Sequence, residues 1–315
     1  MPRLSNVEKV SSNSFEPADN RSLTSEVPHI HEEEKGIQFF DGKFTVRSAN
    51  KSELREQAYK LLYEIYSQTG LAKSNSNGLW LSIYDALPET TTFISEDEKG
   101  KIVGALTLVF DSPIGLPADE LYKNEVDKVR NAGGQICEFI SLGTNHAAKS
   151  PLKILAGLFY CAFLHAWQKK NSSDLTITVH PRHEGFYCRK LSFEKIGLER
   201  NYAKVNGAPA VLLNVSLKEK IRLRHKHRIF PFSILNFSDQ KELEVYNRIE
   251  NMICPMSDEE FFTFFIDKTD TWKKASPQQK DFIKAVYPAH EANHYEVSRA
   301  LAKAFSKKHR YPKIP

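Results

Sequence analysis

The chain has 315 residues, of which 41% are hydrophobic and 26% charged. That globular balance excludes a wholly disordered chain and leaves room for one sizeable domain with extensions or for two domains. Its net charge of +5 resides in residues 218–228, where Lys218, Lys220, Arg222, Arg224, Lys226 and Arg228 stand against Glu219, a run that suits an acidic protein, an anionic membrane surface or plain solvent.

Residues 1–36 are rich in Ser, Asn, Glu and Pro without apolar periodicity and read as a flexible leader. A half-buried strand is expected from Phe39 through Phe44 and Val46. Helical spacing of Leu54, Ala58, Leu61, Leu62, Ile65 and Tyr66 behind Ser52 predicts a helix over about 52–67. Residues 70–90, with Asn75, Gly78, Pro88, Trp80 and Tyr84, form an irregular loop of the size that often covers a site. Strands at 91–95 and 102–110 flank the turn Asp97-Glu98-Lys99-Gly100 as a hairpin. A loop and short helix through Leu121 and Val126 lead to Gly133-Gly134 and a strand at 136–142. A long apolar helix at about 151–168, a strand at 175–179, a short helix at 182–191 and a last strand at 210–217 complete an α/β (α+β) mixed sheet flanked by helices. Beyond Lys218 only helices are expected, at about 241–252, 258–266, 277–286 and 291–307, giving a helical extension over 218–315. The domain expectation is therefore a leader at 1–36, an α/β domain at 37–217 and this extension.

Cys137, Cys161, Cys188 and Cys254 lie far apart and suggest neither a zinc ribbon nor a disulfide framework. With a polar start and no apolar run near the roughly 20 residues that span a bilayer, a soluble cytoplasmic protein is expected.

Three stretches carry a family resemblance. The first is Ile102-Val103-Gly104-Ala105-Leu106-Thr107-Leu108-Val109 with Asp111-Ser112-Pro113-Ile114-Gly115-Leu116-Pro117 and Asp119-Glu120-Leu121-Tyr122. The second is Cys137-Glu138-Phe139-Ile140-Ser141-Leu142. The third is Val179-His180-Pro181-Arg182-His183 with Phe186-Tyr187, then Val205-Asn206-Gly207-Ala208-Pro209-Ala210-Val211-Leu212-Leu213. Together they resemble the N-acyl amino acid synthases, relatives of the acyl-homoserine-lactone synthases, over roughly residues 40–217. The resemblance implies a GNAT-like fold and transfer of a fatty acyl group from a carrier thioester to a small amine acceptor such as an amino acid. It departs from the family pattern where Leu142 and Gly143 follow Ser141, and where Leu62 precedes Tyr63, which leaves carrier and acceptor open.

Amide formation from a thioester needs a neutral amine, a proton acceptor, and donors facing the oxygen of the tetrahedral intermediate. Glu138, inside an apolar strand where burial raises a carboxylate's pKa, is the expected base, the alternative being a structural ion pair. Backbone groups of Phe139, Ile140, Ser141 and Gly143 are expected to pair with the extended donor arm as a further strand, Gly143 permitting close approach. His180 and Arg182 are assigned to the acceptor or acyl pocket. Tyr187 is either a substrate hydrogen-bonder or core, and Asp111 either binds the acceptor's amine or stabilises a turn. The segment from Thr144 to Pro151 lacks the glycine-rich cradle that wraps a coenzyme A pyrophosphate. The expected donor is therefore the phosphopantetheine of an acyl carrier protein, with acyl-CoA as the other option and no bound cofactor. Lys149, Arg222 and Arg224 are the expected docking residues for that acidic carrier, with peripheral membrane contact through the same run as an option and no nucleic acid.

A rival motif is His290-Glu291-Ala292-Asn293-His294, which on a helix would set two imidazoles one turn apart as in zinc hydrolases. It lacks a distal Glu beyond Glu296 and has Val297 where a metzincin needs glycine, so no metal is expected. A non-catalytic acyl-binding module is the third reading.

Overall fold

A computed structural model of the chain describes residues 36–145, 147–219, 230, 231, 235 and 237–287. The expected leader except Gly36, the basic run beyond Glu219 with Arg222 and Arg224, and the expected helix at 291–307 with its His290-Glu291-x-x-His294 motif lie outside the described residues.

Eight strands form one sheet: β1 (Ile37–Phe39), β2 (Phe44–Ser48), β3 (Thr91–Asp97), β4 (Ile102–Phe110), β5 (Ile136–Thr144), β6 (Asp174–Val179), β7 (Glu194–Tyr202) and β8 (Ala208–Ser216). Their order across the sheet is β1-β2-β3-β4-β5-β6-β8-β7. Neighbours are antiparallel except β5 and β6, which run parallel. A parallel pair needs a long crossover, and α3 (Pro151–Lys170) supplies it.

Two elements differ from expectation. The single strand expected from Phe39 is a hairpin, β1 and β2, because Phe40, Asp41 and Gly42 turn the chain at positive φ of 55°, 59° and 80°. β7 escaped the sequence reading because it is an edge strand, carrying Glu194, Lys195, Glu199, Arg200 and Asn201 with mostly solvent-facing positions. A strand so little buried has no apolar alternation to read.

Period-two alternation along β4 separates the two faces of the sheet. Leu106, Leu108 and Phe110 face α3, where Phe159, Phe163, Leu158 and Leu164 are wholly buried with Phe139 of β5. Apolar residues all round α3 fit a helix sandwiched between the sheet and a further layer. That layer includes α4 (Pro181–Leu191) and α5 (Asp239–Met252), whose Val245, Ile249 and Met252 join the same core. On the opposite face, Ala105 packs under α1 (Ser52–Gln68), while Val109 meets Tyr122 and Val126 of α2 (Asp119–Asn131). Full burial of each such Leu or Phe contributes about 2 kcal/mol.

The helical extension shares these cores. α6 (Asp258–Phe261) opens with a Ser257–Glu260 capping box and runs into a π-helical turn, Phe262–Asp267. Phe261, Phe264 and Phe265 are buried against Tyr59, and Tyr287, just after α8 (Pro277–Val286), donates its hydroxyl to Ala86 O at 2.6 Å. Arg55 on α1 bonds Glu260 and Cys254 O, and Lys268 pairs with Glu56. α7 (Thr271–Lys274) lies between them in sequence. These bonds brace α1 from outside the sheet and hold the loop at residues 79–87 against it.

Candidate active site

β5 and β6 pair from Ile136↔Asp174 to Phe139↔Ile177 and then separate. Beyond that point β5 is bonded in the sheet only to β4, where a bulge sets residues 140–143 against Ala105 and Thr107 and holds Ser141 at φ 50°. β6 continues paired to β8. The splay leaves a strand edge facing a cavity of about 580 Å³, large enough for an acyl thioester arm and a small acceptor.

Each wall comes from a different element. α1 supplies Ile65, Tyr66 and Thr69, and the loop after it supplies Trp80. Tyr66 and Trp80 meet edge to face at 4.7 Å; Tyr66 donates its hydroxyl to Leu142 O at 3.2 Å and Trp80 Nε1 donates to Ser141 Oγ at 3.2 Å. Both bonds fasten the bulged segment of β5 to the α1 side and give Ser141 a partner within the protein. α4 closes the other side with Phe186 and Tyr187, and the β7–β8 connection brings Tyr202, Lys204 and Pro209.

Glu138 sits where the strands part. It is buried, lines the cavity, and accepts a hydrogen bond at Oε2 from Ala118 N at 2.8 Å. Burial pushes its carboxyl up to about 8, helped by nearby Asp119; the Ala118 amide, Lys204 and Thr178 pull the other way. No ion pair holds it among the described residues, so the structural-pair alternative finds no support. A carboxyl poised near neutral pH can accept a proton from an ammonium group.

The segment leading to Ala118 explains the Asp111–Tyr122 motif. Arg130 of α2 grips Asp111 through Nε and Nη2 at 2.7 and 2.9 Å, and Asp119 through Nη1 and Nη2. Asp119 also accepts from Leu116 N, and Gly115 at φ 75° lies so close to Asp119 that a Cβ there would come within 2.4 Å of its Oδ2. Asp111 is therefore not a lining residue of the cavity. It anchors the loop whose Ala118 amide orients Glu138, as the turn-stabilising reading expects.

Several expected residues also carry structural roles. Phe139 has its main chain paired on both sides and its ring against Phe159 and Phe163, so it forms wall and core rather than a free strand edge. Gly143 borders the cavity, but a Cβ on it would meet Ile65 Cδ1 at 2.8 Å and Leu62 Cδ2 at 3.4 Å. Its small size admits α1. His180 caps α4, its Nδ1 accepting from Arg182 N at 3.2 Å ahead of Pro181, and Arg182 Nε donates to His183 Nε2 at 3.0 Å. All three line the cavity, with Arg182 and His183 exposed. Partial enclosure by the cavity wall, with the charge of Arg182 and the neighbouring His180, lowers the pKa of His183. Tyr187 packs its ring on Phe159, Phe186 and Phe193, as the core reading expects, and also lines the cavity.

Ile140 and Ser141 line the cavity as expected, and Lys149 is exposed just before α3. Cys137, one residue from Glu138, faces the opposite core, where burial holds its thiol well above the usual range, as it does for Cys161. Among the described residues no three His, Cys, Asp or Glu side chains converge as a metal site, and no helix is long and apolar enough to cross a membrane. Trp80, Tyr66, Thr178 and Lys204 were not singled out from sequence as site residues, although Trp80 stands in the loop expected to cover a site and Lys204 immediately precedes the Val205–Leu213 stretch.

The family model of N-acyl amino acid synthase FeeM matches residues 57–216. The structure of FeeM, an N-acyl amino acid synthase from uncultured soil microbes, is 26% identical and aligns over 56% of this chain and 91% of that one, with a TM-score of 0.50. The AHL synthase LasI is 16% identical over 58% of this chain and 94% of that one (TM-score 0.45). Ribosomal-protein-S5-alanine acetyltransferase from Vibrio fischeri is 13% identical over 58% and 97% (TM-score 0.40). No curated protein sequence matches the chain. The eight-stranded mixed sheet with its splayed β5 and β6 has the GNAT-like fold, and, with the family model spanning half of its length, the chain belongs to the FeeM family of N-acyl amino acid synthases.

Proposed function

We propose that this N-acyltransferase joins a fatty acyl group, delivered as the thioester of an acyl carrier protein, to the amine of an amino acid, with Glu138 as the base. The donor's phosphopantetheine arm lies along the free edge of β5 and pairs with the main chain of residues 140–143, as an added strand would. Glu138 takes one proton of the acceptor's ammonium group, the freed amine attacks the thioester carbonyl, and the tetrahedral intermediate collapses with cleavage of the C–S bond as its nitrogen gives up a second proton, which the departing thiolate takes up to leave as the thiol. The domain bounds of 37–217 for this catalytic unit and 218–315 for the extension are part of the same reading.

The observation that carries it is the buried, unpaired carboxyl of Glu138 at the parting of two strands, held by one backbone amide and facing the cavity. A carrier rather than coenzyme A as donor is supported by the β5–α3 connection. Residues 144–150 contain no glycine, and Pro151 opens α3 without an N–H to offer a pyrophosphate. Lys149, Arg222 and Arg224 then serve as the basic docking surface, Arg222 and Arg224 lying outside the described residues.

The test is to incubate the purified protein with dodecanoyl-carrier protein or dodecanoyl-CoA and a mixture of the common amino acids, reading amide products by mass spectrometry. Dodecanoyl amino acid formed with the carrier thioester at least about tenfold faster is expected. Equal or faster use of dodecanoyl-CoA removes the carrier assignment, and no amide from either donor removes the proposed function.

A further inference from the structure

Among the described residues lining the cavity, Lys204 is the cation without a hydrogen bond or ion pair. Arg182, the other lining side chain of fixed positive charge, is exposed at the rim with its Nε on His183. Lys204 is half-buried on the 3₁₀ turn Ala203–Val205 between β7 and β8. Asn206 and Gly207, at φ 61° and 76°, close that turn, and Asn206 Nδ2 reaches across to Gly70 O at 3.4 Å. The lysine is thus presented from a fixed backbone rather than from a trailing loop.

Two carboxyls feel its charge, Glu138 and Asp85. Neither bonds to it: Asp85 Oδ2 is taken by Ser82 N and Oγ at the start of a helical turn, and Glu138 accepts from Ala118. A half-buried ammonium beside a base, with no fixed counter-charge, is an anion site awaiting its ligand. An α-amino acid carries its carboxylate one carbon away from the nitrogen that must be deprotonated. An anchor for that carboxylate therefore belongs in the cavity that holds the base, and Lys204 lines that cavity together with Glu138.

Resting on the acyl-transfer reading above, we infer that Lys204 binds the α-carboxylate of the acceptor and so selects amino acids over simple amines. This is a positioning role, in which the ion pair fixes the ammonium group toward Glu138 and the thioester carbon.

The test compares wild-type, Lys204→Met and Lys204→Arg enzymes, given dodecanoyl-carrier protein, on two matched acceptor pairs: phenylalanine with phenethylamine, and leucine with isoamylamine. Wild type is expected to favour the amino acid in kcat/KM. In Lys204→Met that preference falls by about 10- to 100-fold, through KM, the size of effect expected for a hydrogen bond between charged groups. Lys204→Arg retains most of it. A preference unaltered in Lys204→Met overturns the inference, as does an equal loss on acid and amine, which would mean a role at the reaction centre. Wild type acylating amines without preferring the acid overturns the anchor while leaving acyl transfer intact, whereas no acylation of any amine sinks the parent reading as well.

Discussion

Replacing Glu138 with Gln tests the burial argument before any substrate is added. Glutamine keeps an oxygen for the Ala118 amide but cannot ionise. In the native protein the carboxyl is held up to about 8, against an ordinary value of 4.5. Below pH 4.5 it is protonated in both states and contributes no pH dependence. Between 4.5 and 8 the unfolded chain has released the proton that the native state keeps, so folding takes up a proton and wild-type stability falls as pH rises. Above 8 both states are ionised and the loss is constant. At 1.36 kcal/mol per pKa unit, the penalty reaches about 3 kcal/mol at pH 7 and about 5 kcal/mol at pH 9. That is a large part of the roughly 5–15 kcal/mol by which domains are stable. Urea unfolding of wild type and Glu138→Gln from pH 5 to 9 reads it as the difference between the two stability curves. The variant should gain steadily on wild type up to about pH 8 and then run parallel to it. Curves parallel throughout would refute the claim that burial holds this proton.

Gly143→Ala should place a methyl 2.8 Å from Ile65 Cδ1 and cost about 1–3 kcal/mol by overpacking under α1, seen as a lower urea midpoint with unchanged m. Full stability in that variant would show that α1 does not need the space Gly143 leaves. Asp111→Asn should weaken the Arg130 clamp, at about 1 kcal/mol for a part-exposed pair with Asp119 still in place, while leaving the KM for the acceptor within about twofold. A large rise in that KM without loss of stability would put Asp111 in contact with the acceptor after all.

Elements with strong local signals were legible. The helix expected at 151–168 is α3 at Pro151–Lys170, because a run apolar on every side has no stable place except between layers. β4, β5 and β6 followed from continuous apolar runs between turn residues. β7 did not, since its solvated edge position leaves no pattern. The site divided the same way. Glu138 stood out as a charge inside an apolar strand, a conflict visible in one dimension. The partners that give it a role did not, because Ala118, Tyr66, Trp80 and Lys204 reach the cavity only through contacts 20 to more than 60 residues away in sequence. His180 and Gly143 line the cavity and also cap α4 and admit α1, structural roles that depend on neighbours the sequence alone does not bring together.

The most direct measurement of the central claim is the pH dependence of kcat/KM for the amino-acid acceptor in wild type and in Glu138→Gln. The wild-type profile should rise about tenfold per pH unit and level off at about 8 as Glu138 ionises. The variant, which can use only acceptor already deprotonated in solution, should be slower by about 100-fold or more at neutral pH and keep rising to the amine's own pKa. Two profiles of the same shape, or a variant as fast as wild type, would contradict Glu138 as the group that takes the proton.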